Sequence, residues 1–173
     1  RDPHHRNIRV TAQALARGAR RKRGGPPATA EDLRAYIPYL VNRLSNRLTI
    51  DQGRMLADHG LSNAALRILS VLHIYRRLTV NEISVVAVLE QSSASRTIDS
   101  MLAAGLVTRE SGARDSRRRE VAPTDAGEQL LGEVWPHVAQ GYARLTEGIG
   151  AEDVATCARV LSRMIDNVRQ HDI

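Results

Sequence analysis

The sequence predicts a mainly α fold carrying one small β-hairpin. Three observations lead there: long apolar stripes at helical spacing near both ends, a capping box followed by two short helical patterns, and two short runs flanking an arginine-rich loop.

In chain order, an arm of residues 1–27 ends at the break Gly24-Gly25-Pro26-Pro27. Within it Ile8, Ala12, Leu15 and Ala19 recur at helical spacing with arginines on the other faces, which reads as a weakly amphipathic helix. From Glu31 the residues Leu33, Tyr36, Ile37, Leu40, Val41, Leu44 and Leu48 form one long stripe, with Glu31 and Asp32 at the positive end of the helix dipole. Ser62 caps the next helix, and Leu61 and Leu66 are spaced as a hydrophobic staple. Further on, Thr124 caps a helix that runs to Glu147 and is expected to kink at Pro136, because proline collides with the turn before it. The last stripe is Val154, Cys157, Leu161, Met164, Ile165 and Val168. Cys157 reads there as a small core residue rather than an oxidation sensor.

The most informative stretch is 79–127. In Thr79-Val80-Asn81-Glu82 the hydroxyl and carboxylate can satisfy each other's backbone N–H groups, so a helix starts at Val80 and turns Ile83, Val86 and Ala87 inward. The chain breaks near Leu89. A second helix opens at Gln91-Ser92-Ser93, capped by Gln91 or Ser92, carries Ala94, Ile98, Met101 and Leu102 inward, and ends with Gly105 as its C-cap. A strand over Leu106-Val107-Thr108-Arg109, a polar loop from Glu110 to Arg118 and a return strand over Arg119-Glu120-Val121-Ala122 follow. Two helices joined by a tight turn and followed by a hairpin describe a winged helix-turn-helix. Its second helix fits the major groove of DNA and presents N-terminal side chains to base edges. Those side chains are Gln91, Ser92, Ser93, Ser95 and Arg96. The competing view, that the serines are caps, accounts for one of them and leaves Arg96 and the loop unexplained.

Leu106-Val107-x-Arg109, Asp115-Ser116-Arg117 and Thr124-Asp125-Ala126-Gly127 together resemble the signature of the MarR family of bacterial transcription regulators. The specific part is an Asp-x-Arg pair, six spacer residues, and a Thr shortly before Ala-Gly. The resemblance implies that Arg117 enters the minor groove with Asp115 orienting it, and that the first and last helices pair two copies about a two-fold axis. It also implies a small aromatic acid, or its coenzyme A thioester, held near residues such as Tyr36, Tyr39, His59, His73, Trp135 or His137. The implied role is repression of genes beside a pseudo-palindromic duplex operator, released by that effector. The alternative is a winged-helix interaction or dimerisation module that reads no DNA. Physics supports Arg117 separately, because a weakly hydrated, planar guanidinium is drawn into a narrow A·T-rich minor groove. Arg114, Arg118 and Arg119 flank it, and for such a charge run a solvated loop is the competing reading. Two departures from the family pattern stand out. Pro123 replaces the usual Leu, as suits the end of an edge strand, and Val88-Leu89-Glu90 replaces a turn that often holds glycine.

Composition narrows the classes further. The chain of 173 residues suits one domain with an arm, divided here as arm 1–27, first dimerisation helix 28–60, DNA-binding domain 61–123 and C-terminal dimerisation helices 124–173. Aromatic residues make up 3% with no Phe, which disfavours base-stacking platforms for single strands. The single cysteine excludes an intrachain disulfide framework and suits a reducing cytoplasm. No apolar run approaches the roughly 18 residues of a membrane span. No nucleotide-binding glycine loop, nucleophile elbow or helical zinc spacing is present, so neither an enzyme, a cofactor nor a metal is indicated. The net charge is +6, yet residues 1–27 hold eight cations against Asp2 alone, which leaves the remainder at −1. Three readings of the basic arm stay open: a disordered tail, an arm that touches DNA or a dimer partner, and a targeting peptide.

Overall fold

The computed structural model describes residues 25–111 and 119–168. The predicted helix over Ile8 to Ala19 lies outside them. Among the described residues the elements are α1 (Ala30–Arg34), α2 (Ile37–Ala57), α3 (Asn63–Tyr75), β1 (Leu78–Thr79), α4 (Val80–Val86), α5 (Gln91–Ala103), β2 (Val107–Ser111), β3 (Arg119–Pro123), α6 (Asp125–Leu145) and α7 (Ala151–Val168). The chain divides into two compact units between Asp51 and Gln52, inside α2.

In the first unit Thr29 caps α1, its hydroxyl accepting from Asp32 N at 3.1 Å while the Asp32 carboxylate accepts from Thr29 N at 3.0 Å. The stripe expected as one helix from Glu31 is two helices with a break at Ala35 and Tyr36. Pro38 is the cause. Continuing α1 would drive its ring into the Arg34 carbonyl, whereas in the first turn of a new helix its missing N–H costs nothing. Leu33, Ile37, Leu40, Val41, Leu44 and Leu48 are each more than a third exposed.

The second unit holds the core. Leu56, Ile68, Leu72, Ile83, Ile98, Val121 and Val134 have no measurable exposure, and Leu61, Leu69, Met101, Val107 and Leu131 join them. Each such aliphatic side chain contributes about 2 kcal/mol by leaving water. Ser62 caps α3 as expected, accepting from Ala65 N at 3.1 Å, and both staple residues are buried. The sheet is antiparallel in the order β1-β3-β2, with Leu78 opposite Val121 and Val107 opposite Pro123. β1 has no counterpart in the sequence reading, since two residues show no alternation to read. Its presence makes β3 the central strand and corrects the edge position expected for Pro123. Proline is tolerated because β1 reaches only Glu120 and Val121, so no partner on that side awaits an N–H from residue 123.

α5 closes one residue earlier than expected: Ala104 is the C-cap, and Gly105 follows it at φ 70°. Gly105 N donates to Leu102 O at 3.0 Å and Leu106 N to Met101 O at 2.9 Å, a Schellman ending. α6 docks on this turn. Thr124 Oγ1 donates to Gly105 O at 2.6 Å and accepts from Gly127 N at 3.1 Å, while Thr124 N donates to Leu106 O at 3.1 Å. A Cβ at Gly127 would lie 2.1 Å from Leu106 O, so the helix approaches the strand closely only because no side chain intervenes. α7 buries no residue, and Cys157 is exposed rather than part of the core. The amphipathic stripe exists, but among the described residues none of it is fully buried.

The end of α3 is fastened to α6 through charge. Arg76 adopts φ 64° and Arg77 N donates to Tyr75 O at 2.7 Å, a γ-turn of the rarer and strained kind. Glu128 meets His73 Nδ1 at 2.6 Å and the Arg76 guanidinium. The hydrogen bond from His73 is the largest influence and draws the Glu128 carboxyl below its ordinary 4.5; burial pushes back against it, and the Arg76 hydrogen bond and the neighbouring charges add to the lowering.

Two predictions follow from this packing. Gly127→Ala should cost about 3 kcal/mol in urea denaturation, because backbone must move to admit a methyl group; a loss under about 0.5 kcal/mol would contradict the close approach. A carboxyl whose folded value is depressed stabilises above its unfolded value and stops doing so as pH falls through the folded value. Wild type should therefore exceed Glu128→Gln by about 1 kcal/mol at neutral pH, with the gap closing below pH 4.5. A gap independent of pH would show that the carboxylate charge is not what matters.

Candidate nucleic-acid interface

The reading head begins with the capping box. Thr79 N donates to Glu82 Oε2 at 2.7 Å and Glu82 N to Thr79 Oγ1 at 3.3 Å, which starts α4 at Val80 as the sequence indicated. α4 closes at Ala87, and Val88 takes the left-handed conformation at φ 54°. Val88 N donates to Val85 O at 3.2 Å and Leu89 N to Ser84 O at 2.8 Å, so this turn has the same Schellman geometry as the one at Gly105. The glycine that eases such a turn is absent; a β-branched residue bears about 1–2 kcal/mol of strain there. Half-buried Leu89, packed on the core, offsets part of it.

α5 follows with Glu90 as its N-cap and no side-chain bond to the first turn. Neither Gln91 nor Ser92 caps the helix, because the extended residue before it is Glu90 and these two are its first helical residues. Gln91 Nε2 donates to Asn81 Oδ1 at 2.6 Å, and Arg96 lies back along the helix, donating from Nε to Ser92 O at 3.2 Å. The uncapped N–H groups of α5 therefore remain able to receive an anionic oxygen. Ala94, Ile98 and Met101 are buried, which turns Gln91, Ser92, Ser93 and Arg96 to solvent; Ser95 is half-buried. One acid, Asp99, also faces out, and Arg109 Nη2 of β2 donates to it at 2.8 Å. That pair removes a negative charge from the face and ties the helix to the hairpin. Arg77 pairs with Glu110 on the same strand.

The hairpin base is five residue pairs long, from Val107 opposite Pro123 to Ser111 opposite Arg119. Arg114, Asp115, Arg117 and Arg118 lie outside the described residues, between the two strands. Sequence reasoning missed Asn81, Asp99 and Arg109 as supports of the face. Arg109 stood within the quoted motif, but a partner ten residues away on another element leaves no local pattern.

Of the residues expected around an effector, Tyr36 and Tyr39 belong to the first unit and His59, His73, Trp135 and His137 to the second. Tyr39 is half-buried and its hydroxyl accepts from Arg43 at 3.3 Å; Tyr36 is exposed. The rings of His59 and His137 lie tilted at 45° to each other, their centres 5.4 Å apart. His73 is held by Glu128, and Trp135 on α6 is half exposed. Among the described residues no group of His, Cys, Asp or Glu is arranged for a metal, and no helix is long and apolar enough to cross a membrane.

A solved MarR-family transcriptional regulator from Silicibacter pomeroyi is 33% identical and superposes with a TM-score of 0.75, over 82% of this chain and 95% of that one. The chain belongs to the MarR family. A MarR family model also matches residues 59–118, which take in the helix-turn-helix and the hairpin loop. At 20% identity, E. coli MarR complexed with operator DNA shares the MarR-family fold with a TM-score of 0.67, over 75% of this chain and 93% of that one. Bordetella bronchiseptica BpsR, whose DNA binding is regulated by 6-hydroxynicotinic acid, does so at 19% identity and 0.67, over 74% and 97%. Within this MarR-type head the glycine-free turn is a local strain. Val88→Gly should raise stability by about 1 kcal/mol in thermal or urea denaturation, whereas an unchanged or lower value would show that Val88 is not strained.

Proposed function

We propose that this MarR-family regulator acts as a homodimer that binds a pseudo-palindromic duplex through α5 and the hairpin loop, represses transcription there, and releases the duplex when a small aromatic acid or its coenzyme A thioester binds. The observation that carries the reading is the exposed α5 face. Ser92, Ser93 and Arg96 point outward, Asp99 is neutralised by Arg109, and the adjoining hairpin leads into the loop with Arg114, Arg117 and Arg118. Phosphate contacts from such arginines set the register, and base-edge contacts from the helix supply specificity. Arg117, oriented by Asp115, takes the minor groove.

The homodimer accounts for two apolar faces that one chain leaves open. In the first unit Ile37, Leu40, Val41, Leu44 and Leu48 are exposed; in the second, Val160, Leu161, Ile165 and Val168 on α7 are exposed. Residues 28–60 and 124–173 then serve association, and 61–123 serve reading. Two recognition helices related by a two-fold axis would stand roughly 34 Å apart, one turn of B-form DNA. A regulator of this kind works on the chromosome, in the cytoplasm. Of the effector candidates, Tyr39 and Trp135 are favoured over His73, whose ring is committed to Glu128. An effector loosens the complex only by preferring a dimer whose recognition helices are mis-spaced.

The test is a gel-shift titration of wild type and Arg117→Ala on a selected duplex at several salt concentrations. Loss of one phosphate-directed cation should weaken binding on the order of tenfold and lower the salt slope by about one. Equal affinity and slope would remove Arg117 from the interface.

A further inference from the structure

One hydrogen bond on the exposed face serves neither of the helices it joins as a cap. Asn81, the second residue of α4, and Gln91, the first of α5, are both exposed, and the Gln91 Nε2 donates to Asn81 Oδ1 at 2.6 Å. Neither amide caps a helix: Thr79 and Glu82 perform that task for α4, and Glu90 starts α5 without a side-chain bond. The two helices are fixed against each other by fully buried Ile83 and Ile98, so the two amides meet on a rigid frame. The Val88 turn brings them together across ten residues of sequence.

We propose that Asn81 is a positioning residue that locks the Gln91 amide in the orientation that reads adenine in the major groove. The proposal rests on the duplex-binding reading given above and names the base that α5 selects. A primary amide has two N–H donors and one oxygen acceptor. Asn81 takes one N–H, which leaves Gln91 with one donor and one acceptor. Adenine offers the complement, an N7 acceptor beside an N6 donor, whereas guanine offers two acceptors, N7 and O6. A free glutamine could turn its NH2 end toward guanine. Here that rotation would set the Gln91 oxygen against the Asn81 oxygen, two acceptors face to face, unless Asn81 turned its own amide as well, so the guanine-compatible orientation requires both side chains to reverse together. Asn81 therefore acts on the choice between adenine and guanine without touching either base.

The experiment is selection of bound sequences from randomised duplexes with full-length wild type, Asn81→Ala, Asn81→Asp and Gln91→Ala, each checked first for a wild-type denaturation midpoint. Wild type should recover an inverted repeat in which one position per half-site prefers adenine over guanine on the order of tenfold. Asn81→Ala and Gln91→Ala should reduce that ratio to about threefold or less while the other positions keep their preferences. Asn81→Asp keeps only acceptors toward Gln91, so it should retain the adenine preference although its added negative charge lowers affinity at every sequence. A repeat whose adenine-to-guanine ratios are the same in wild type and Asn81→Ala overturns the proposal and leaves the duplex-binding reading intact. Failure of wild type to select any inverted repeat removes that reading, and the proposal with it.

Discussion

The approach of α6 to the end of α5 governs the geometry of the whole reading head. Over four residues, Thr124 to Gly127, the chain makes the Thr124 hydroxyl both a donor to Gly105 O and an acceptor from Gly127 N, while Gly127 lies against the Leu106 carbonyl. Three elements thereby share one joint: the turn that ends α5, the residue that leads into β2 and the start of α6. A hydroxyl satisfied in both directions at a half-buried junction fixes the entry of α6, since it meets the end of α5 and the start of α6 with the same oxygen. Changes in the placement of α6 therefore have a short mechanical route to α5, through the Thr124 hydroxyl and the Gly105 and Leu106 carbonyls.

Charge is used in the same economical way. The body of the chain is close to neutral, and its exposed ion pairs are individually worth little as stabilisers. Their value is positional. Arg109 cancels Asp99 on the face that would meet phosphate, Arg77 pairs with Glu110 on the same strand, and Glu128 collects His73 and Arg76 where the strained turn leaves α3. Each pair links elements that local hydrogen bonds do not.

Much of this was legible in the residues, and the exceptions have physical reasons. Thr79 with Glu82, Ser62 and Thr124 announced three helix starts, because caps act within three residues of themselves. Apolar spacing located the buried face of α5 for the same local reason. The break before α2 was missed although Pro38 signalled it, since the apolar stripe runs through the break without interruption. β1 was invisible because two residues carry no period, and its pairing with β3 decides which strand is central. Val88 in a left-handed turn contradicts its own preference; only the bonds that Val88 N and Leu89 N donate to the Val85 and Ser84 carbonyls show why it is there. Cys157 lies on a stripe whose apolar character was readable and whose exposure was not, because a period says which face is apolar and not what covers it. The support of Gln91 by Asn81 and the long-range pairs of Glu128 depend on tertiary contact and leave no trace in spacing.

The central claim is that the α5 face and the loop between β2 and β3 meet duplex DNA together. The most direct measurement is a backbone-amide NMR titration of the protein with a selected inverted-repeat duplex at physiological salt. The account predicts the largest shift changes over residues 91–100 and 111–119. Changes confined to α1 and α2, with those two segments unmoved, would contradict it.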